Sequence, residues 1–178
     1  MVPGDAEALL RIYSAQSVRY LGRAPMDADE ARYCLRDIIA AAAQSPRTLY
    51  VLGIDVDGDL LGIVKLHHDR PVAAVSYILR TDAWGHGYAT EAVRRILALA
   101  FGHLHLPEVR AKHRPNNPAS GRILLKAGFA PTSERNGFLT YAICVPTQTG
   151  RPCAPPVEHA LLTAALVGHP VPGLRHPG

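Results

Sequence analysis

The sequence lacks the features of a membrane, secreted or disordered protein. It contains no apolar run of about 18 residues, and its opening MVPGDAEALL has no basic segment followed by an apolar core. Hydrophobic residues make up 48% of the 178 residues and charged residues 19%, which excludes a disordered polyelectrolyte. The three cysteines show no CxxC spacing, so no metal site is expected. These absences predict one compact domain with a cytoplasmic location and no membrane partner.

Aromatic residues and clustered basic residues are also scarce. Aromatics make up 6% of the chain, and its net charge of +4 arises from 16 arginines and three lysines that are dispersed along it. A nucleic-acid surface usually combines a basic stripe with interleaved aromatic rings. The sequence therefore predicts no nucleic-acid partner, and its modest positive charge suits a small anionic ligand at least as well.

The first third of the chain shows two helical patterns followed by a strand pair. Asp5 predicts the start of a helix that continues to residue 18. Asp27, with Glu30 three residues later, has the spacing of a capping box for a second, amphipathic helix. Asp57-Gly58 between two runs rich in β-branched residues predicts a hairpin.

The remaining patterns alternate between strand and helix. Asn117-Pro118 has the composition of a helix start, and Gly128 that of a helix end. Strands are predicted at residues 72–80, 108–113, 129–132 and 137–145. Helices are predicted at residues 90–103 and, as a short helix, 117–128. Strands that precede and interleave with helices indicate an α/β (α+β) domain with a mixed sheet.

The composition changes after Pro146, where seven of the 15 prolines fall in the last 33 residues. Such a segment cannot supply ladder hydrogen bonds to a sheet. We therefore expect a domain over residues 1–146 and a Pro-rich tail over residues 147–178, with one short helical pattern at 157–167.

A glycine-containing turn joins the predicted third strand to the helix after it. Small residues at Gly85, Gly87 and Ala89 allow a ligand to approach the backbone closely. Free N–H groups and the positive end of the helix dipole favour a phosphate at such a turn. The alternative to phosphate binding is a tight strand-to-helix connection in which glycine serves only steric needs. For Asn117, the alternative to ligand binding is a simple helix cap.

Two spaced motifs together resemble the GNAT acetyltransferase superfamily, and most closely its ribosomal-protein N-terminal acetyltransferase branch. Residues 84–89 fill the place of the family's pyrophosphate loop, Q/R-x-x-G-x-G/A, with Trp84 in place of the Gln or Arg. The later N-x-x-S and G-F pattern is met by Asn117, Ser120, Gly128 and Phe129. The resemblance extends over about residues 5–145, although only four residues precede Asp5, where family members carry a strand. That strand is either missing or encoded further upstream.

The resemblance implies a mostly antiparallel mixed sheet with two splayed parallel strands, residues 72–80 and 108–113, and flanking helices. It also implies acetyl-CoA as the co-substrate, without a metal. A strand N–H near residues 78–80 would polarise the acetyl carbonyl. The implied binding residues are Ile78, Leu79, Arg80, Gly85, His86, Gly87, Tyr88, Ala89, Thr90 and Asn117.

The catalytic residues are less clearly marked than the donor site. Ser120 aligns with the serine that protonates the leaving thiolate in this branch. The candidate bases are Glu134 and either His67 or its neighbour His68, of which at most one faces a given cleft because adjacent strand residues point to opposite faces. Each of these residues has an ordinary structural role as the alternative. Ala74 stands where many members carry a glutamate base, and Leu124 where many carry a tyrosine acid.

The sequence thus predicts an N-acetyltransferase that acts in a ternary complex on a primary amine. The acceptor is either a protein N-terminus or a small molecule such as an antibiotic, and the enzyme is a monomer or a homodimer. Because Ala74 and Leu124 replace two expected catalytic groups, a catalytically silent acyl-CoA-binding module is the alternative.

Overall fold

The fold is one six-stranded mixed sheet with helices on both faces. The computed structural model describes residues 1–68 and 72–145. The helices are α1 (Ala6–Ile12), α2 (Ala15–Val18), α3 (Ala28–Ala42), α4 (Tyr88–Ala98) and α5 (Pro118–Lys126). The strands are β1 (Leu49–Val56), β2 (Asp59–His67), β3 (Ala73–Leu79), β4 (Glu108–His113), β5 (Ala130–Arg135) and β6 (Phe138–Cys144). They lie in the order β1-β2-β3-β4-β6-β5.

The predicted mixed sheet is confirmed, and every recorded strand pairing but one is antiparallel. Strands β3 and β4 run parallel and pair through Ala73 with Val109 and Ala74 with Arg110. Beyond those pairs the two strands diverge toward their carboxyl ends. This divergence is the splay that the family resemblance implies.

Local sequence signals explain the first hairpin and the long third helix. Asp57 and Gly58 have φ angles of 53° and 84°, so the β1–β2 turn uses the left-handed conformations that Asp-Gly tolerates. The Asp27 side chain accepts a hydrogen bond of 2.8 Å from the Glu30 N–H and thereby caps α3. Both predictions are confirmed.

The N-terminal helix and the helix after the glycine turn differ from their predictions. The first helix breaks at Ser14 into α1 and α2, and Asp5 accepts from the Val2 N–H instead of capping α1. The helix after the turn begins at Tyr88 and not at Thr90, and its last turn over Leu99–His103 widens into a π-helix. Tertiary packing sets these boundaries, which sequence patterns locate only within a few residues.

Each face of the sheet carries its own hydrophobic core. Helices α4 and α5 cover one face, where Val64, Leu66, Val75 and Leu124 are buried together. Helices α1 to α3 cover the other face, where Leu9, Leu35, Ile63 and Ile78 are buried. Residues that alternate along β2 and β3 therefore contribute to two different cores, as the period of two in a strand requires. Below, the two sides are called the α5 face and the α1 face.

Several sequence-based expectations concern residues outside the described part of the chain. The tail over 147–178, its helical pattern at 157–167 and the boundary at 146 all lie there. Within the described ranges, no strand precedes α1, because Pro3–Asp5 forms a turn of 3-10 helix. No helix in those ranges combines the length and the apolar composition needed to cross a bilayer.

We expect Gly62 in β2 to tolerate no side chain. A Cβ atom there would lie 2.6 Å from the Ile78 carbonyl oxygen, which belongs to the backbone of β3 and cannot rotate away. Gly62→Ala should therefore lower the free energy of unfolding in urea by about 1–3 kcal/mol, as overpacking of a core does. Gly102→Ala is the matched control, since its Cβ would meet no atom within 4 Å. Equal stability of the two variants would contradict this packing.

Candidate active site

A cleft of about 170 Å³ opens where β3 and β4 diverge. Its lining includes residues from both faces of the sheet: Tyr77 and Ser120 on the α5 face, and Lys65 and Ser76 on the α1 face. The cleft therefore passes through the sheet between the two parallel strands. A ligand that entered from one face would meet a second ligand from the other.

Unpaired backbone groups of β3 face this cleft. In an antiparallel pair, residues bonded to the neighbouring strand alternate with residues whose backbone groups point away. Arg80 donates its N–H to the Leu61 carbonyl at 2.9 Å, so Arg80 and Ile78 are bonded to β2. Tyr77 and Leu79 consequently direct their N–H groups toward β4, beyond the point where the β3–β4 pairing ends. Of the three predicted residues 78–80, Leu79 alone presents its N–H to the splay.

The opposite wall of the splay follows the same rule. Val145 donates its N–H to the Pro107 carbonyl at 3.3 Å, which fixes the alternation between β4 and β6. The backbone of Lys112 therefore faces β3, across the gap from Tyr77. Two strand edges with free hydrogen-bonding groups form a slot suited to an extended chain of amide groups.

The glycine turn lies at the carboxyl end of β3, beside the slot. Gly85 and Gly87 have φ angles of 84° and 86°, in the left-handed region that glycine occupies without strain. Gly87 is the N-cap of α4 and provides no side chain to bind the first N–H groups of the helix. The N–H groups of Tyr88, Ala89 and Thr90 have no intrahelical partner and are available to an anion. The exposed His86 ring stacks on Tyr88 with centroids 5.7 Å apart.

Trp84 attaches this turn to the end of β3. Its indole N–H donates a hydrogen bond of 3.1 Å to the Leu79 carbonyl, and the Arg19 guanidinium lies 5.1 Å from the indole ring centroid. The Leu79 carbonyl is thereby occupied, whereas its N–H remains directed into the splay. The tryptophan that replaces the family's Gln or Arg thus positions both the turn and the strand end.

Arg80 is directed away from the cleft. Its guanidinium binds Asp82 at 2.6 Å and Asp59 at 2.8 Å, and hydrogen bonds to Asp82 and then Asp59 raise the pKa of Arg80. Its backbone N–H is already bonded to Leu61. Arg80 therefore connects β2, β3 and the turn after β3, and neither its side chain nor its N–H is free for a ligand.

Ser120 and Tyr77 form a hydrogen-bonded pair at the α5 side of the cleft. The Tyr77 hydroxyl lies 2.7 Å from Ser120 Oγ and 3.1 Å from the Ser120 carbonyl oxygen. Asn117 caps α5 by accepting the Ser120 N–H at 3.3 Å, which fixes the serine at the helix start. Burial raises the pKa of Tyr77 to about 12, so the phenol keeps its proton at neutral pH.

His113 supports this pair from behind. Its Nδ1 donates to the Arg114 carbonyl at 2.8 Å, because a carbonyl only accepts, and its Nε2 lies 3.2 Å from the Tyr141 hydroxyl. Gly121 leaves the room for this ring, since a Cβ there would lie 2.7 Å from Nε2. The buried His113 therefore connects β4, β6 and α5 beneath the cleft.

The two predicted bases occupy different places. His67 ends β2 and lines the cleft, half-buried on the same face as Lys65. Glu134 lies on the edge strand β5, where every residue is exposed, and pairs with Leu139 of β6. The structure therefore does not bring Glu134 together with Ser120 or His67.

The lining of the cleft includes polar residues that the sequence did not predict, among them Tyr77, Lys65, Lys112 and His113. Tyr77 carried a usable signal, since it shares a strand face with the buried Val75 and precedes the splayed strand end. The others depend on long-range pairing, which no local pattern reveals.

The chain is similar in sequence and fold to known acetyltransferases. The family model described as "Acetyltransferase (GNAT) domain" matches residues 1–130. The chain belongs to the GNAT acetyltransferase family. The uncharacterised N-acetyltransferase YoaA of Bacillus subtilis (strain 168) is 31% identical over 133 residues, which are 70% of this chain and 73% of YoaA.

Two solved GNAT structures have the same fold. RimJ of Mycobacterium smegmatis, in complex with CoA-disulfide, gives a TM-score of 0.69 at 22% identity and covers 81% of this chain and 79% of RimJ. Spermidine N-acetyltransferase of Vibrio cholerae, in complex with CoA and spermine, gives a TM-score of 0.67 at 18% identity. The match covers 84% of this chain and 94% of that enzyme. The family model describes an acetyltransferase domain, and the relatives are named as N-acetyltransferases. This GNAT protein is therefore an acetyl-CoA-dependent acyltransferase.

The buried phenol of Tyr77 should make the stability of this GNAT domain depend on alkaline pH. Its pKa rises from 10.0 to about 12 on folding, so above pH 10 the unfolded chain releases a proton that the folded chain keeps. Stability must then fall as the pH rises from 10 toward 12, with a contribution of up to about 1.4 kcal/mol per pH unit. Tyr77→Phe should remove that contribution.

Urea unfolding of both proteins between pH 9 and about pH 12 measures the difference. Contributions that the two proteins share cancel in the comparison, so only the difference between the two slopes reports Tyr77. Identical slopes would show that the Tyr77 hydroxyl is not held in its protonated form by the fold.

Proposed function

We propose that this GNAT protein transfers the acetyl group of acetyl-CoA directly to a primary amine, within a ternary complex. The observation that carries the proposal is the cleft through the sheet, which has the Ser120–Tyr77 pair on its wall. The glycine turn follows the carboxyl end of β3, one of the strands that form the cleft. The acceptor class is a small-molecule amine or a peptide N-terminus.

The residues present fit acetyl-CoA in two independent places. The uncapped N–H groups at the start of α4, beside two glycines with open space around them, suit a pyrophosphate. The free strand edges at Tyr77 and Lys112 suit the amide groups of a pantetheine arm. When bound, acetyl-CoA supplies an acetyl group that is already activated as a thioester.

Leu79 and Ser120 perform the two polar tasks that the donor requires. The Leu79 N–H donates to the acetyl carbonyl oxygen, where negative charge develops during attack by the amine. The single hydrogen of the Tyr77 hydroxyl can go to the Ser120 carbonyl oxygen or to Ser120 Oγ. When it goes to Oγ, the serine hydrogen is free to point into the cleft, and this is the arrangement that the proposal requires. Ser120 then provides a proton for the departing thiolate.

His67 is the proton acceptor for the attacking amine in this proposal. It lines the cleft on the α1 face, opposite the Ser120 side, so base and acid act from the two sides of the sheet. Glu134 has no part in the proposed mechanism, because it lies on the exposed edge strand.

Acetyl-CoA should stabilise the folded protein. At a hundredfold excess over its dissociation constant, linkage gives about 2.7 kcal/mol, which corresponds to roughly 5–10 °C in Tm for a chain of this size. Gly87→Glu should abolish the shift, because a carboxylate would then face the pyrophosphate.

Gly58→Glu provides a control matched in backbone strain. Gly58 has a φ of 84° against 86° for Gly87, and a Cβ atom added to either glycine would meet no other atom within 4 Å. Thermal unfolding with and without millimolar acetyl-CoA measures both variants. A folded wild-type protein that shows no shift would overturn the proposal.

Replacement of Ser120 tests the proton donor. Ser120→Ala should lower kcat by about 10²–10⁴-fold, the usual worth of general acid catalysis, with a smaller change in the KM for acetyl-CoA. Ser133→Ala, on exposed β5, is the matched control and should leave kcat unchanged.

Release of CoA with a panel of amines measures both steady-state constants. Wild-type kcat in Ser120→Ala would show that the thiolate takes its proton from another source. Binding of acetyl-CoA without CoA release from any amine would instead support the silent acyl-CoA-binding alternative.

A further inference from the structure

A row of polar side chains crosses the α1 face of the cleft. Lys65 of β2 pairs directly with Ser76 of β3. Because Ala74 pairs with Arg110 in the parallel strand β4, the residue that continues this register opposite Ser76 is Lys112. Even numbers on β3 and β4 and odd numbers on β2 share the α1 face, so Lys65, Ser76 and Lys112 lie on one face of three neighbouring strands, with the β3–β4 gap between Ser76 and Lys112. Two strand spacings of a fully paired sheet amount to about 10 Å, which is a lower bound for the separation of the two lysine backbones.

The cations near this row contact aromatic rings. The Lys65 ammonium lies 5.9 Å from the Tyr13 ring centroid and the Lys112 ammonium 4.5 Å from that of Phe138. The Arg114 guanidinium lies 5.1 Å from the centroid of the same phenylalanine ring. Among the ion pairs of residues 1–68 and 72–145, none includes any of these cations.

The concentration of lysine here is specific to the cleft. The whole chain has three lysines against 16 arginines, and two of the three are Lys65 and Lys112. The described residues that line the cleft include these cations and Arg114 but no aspartate or glutamate. Desolvation by partial burial lowers the pKa of Lys112, which is otherwise an exposed residue.

The donor does not account for this charge. The glycine turn that suits the pyrophosphate follows the carboxyl end of β3, whereas Ser76 lies in the middle of that strand. The serine and both lysines also lie on the α1 face, opposite α4 and α5. The cations are therefore placed where the second substrate would enter.

We propose that Lys65, Ser76 and Lys112 bind an oxyanion, a carboxylate or a phosphate, that the acceptor amine carries in the same molecule. The inference rests on the proposed acetyltransferase function and narrows its acceptor class to amino acids, peptides with a nearby carboxylate, and amino-phosphates. Polyamines, which carry only positive charge, are disfavoured by repulsion from the row.

The same charge assists the chemistry. A row of cations lowers the pKa of an acceptor ammonium held close to it, because the neutral amine is then the favoured form. The anion of the acceptor supplies the binding free energy that its ammonium loses to repulsion. A cleft with Ala74 in place of a glutamate base can thus still present an uncharged nucleophile.

The test compares acceptors that share an amine and differ in one charge. Glycylphenylalanine is paired with glycylphenylalaninamide, and O-phosphoethanolamine with ethanolamine, with spermidine as the cationic probe. We expect kcat/KM to be at least about tenfold higher for the anionic member of one pair, the usual worth of a hydrogen bond to a charged group. The pair that shows the preference distinguishes carboxylate from phosphate.

Substitution of the two lysines tests whether they cause the preference for anionic acceptors. Lys65→Met and Lys112→Met should each reduce the anionic preference to within about threefold, because kcat/KM falls much more for the anionic member than for the uncharged one. Lys126→Met is the matched control, because Lys126 is an exposed residue on α5 outside the cleft, and it should retain the full preference. Thermal shift with acetyl-CoA confirms that each variant still folds and binds the donor.

Each outcome separates this inference from the proposed function. Equal kcat/KM within both pairs, a preference for spermidine, or an anionic preference that survives both lysine variants would overturn the oxyanion site while leaving the acetyltransferase intact. An absence of CoA release with every acceptor, charged or not, would overturn the proposed function and the oxyanion site with it.

Discussion

The divergence of β3 and β4 is the constraint on which the rest of the site depends. Two parallel strands that stay paired bury their backbone groups in the ladder, whereas two that separate leave a line of donors and acceptors to be satisfied by something else. Here the recorded pairing stops at Arg110, and the edges at Tyr77, Leu79 and Lys112 face each other across the gap. The fold thus keeps a slot through its own sheet that a ligand with amide groups can complete.

Neighbouring interactions support both walls of that slot at the carboxyl ends of β3 and β4. The Trp84 indole fixes the carboxyl end of β3 to the glycine turn, and Arg80 ties the same end to β2 through Asp59 and Asp82. On β4, the buried His113 joins Arg114 to Tyr141 and leaves room for α5 only because residue 121 is glycine. These contacts replace the cross-strand hydrogen bonds that the splay removes.

Local sequence signals were sufficient for most of the architecture. The Asp27 cap, the Asp57-Gly58 hairpin and the Asn117 cap each depend on a few adjacent residues, and each is present as predicted. The motif resemblance also gave the family and the mixed sheet, because GNAT motifs have a fixed order along the chain. Helix ends were less accurate, since Ser14 adopts an extended conformation as the N-cap of α2 and interrupts the predicted first helix.

The walls of the cleft were harder to predict because they depend on register. The carboxylate of Glu134 and its position after Phe129 predict a general base, but pairing with β6 places Glu134 on an exposed edge strand. Lys65 and Lys112 are far apart in sequence, and only the pairing of both strands with β3 brings them to either side of Ser76. A one-residue shift would turn each side chain to the other face of the sheet.

The distribution of charge gives the two faces of the sheet different roles. On the α5 face, the pair of Ser120 with the protonated Tyr77 is neutral and half-buried, which suits a group that delivers a proton to sulfur. On the α1 face, lysines over aromatic rings form a positive field without a described carboxylate in the cleft lining. A free amine is uncharged when it attacks, so a positive field opposes only its unreactive protonated form. The field that repels the ammonium therefore favours the nucleophile, provided that another part of the acceptor supplies the attraction.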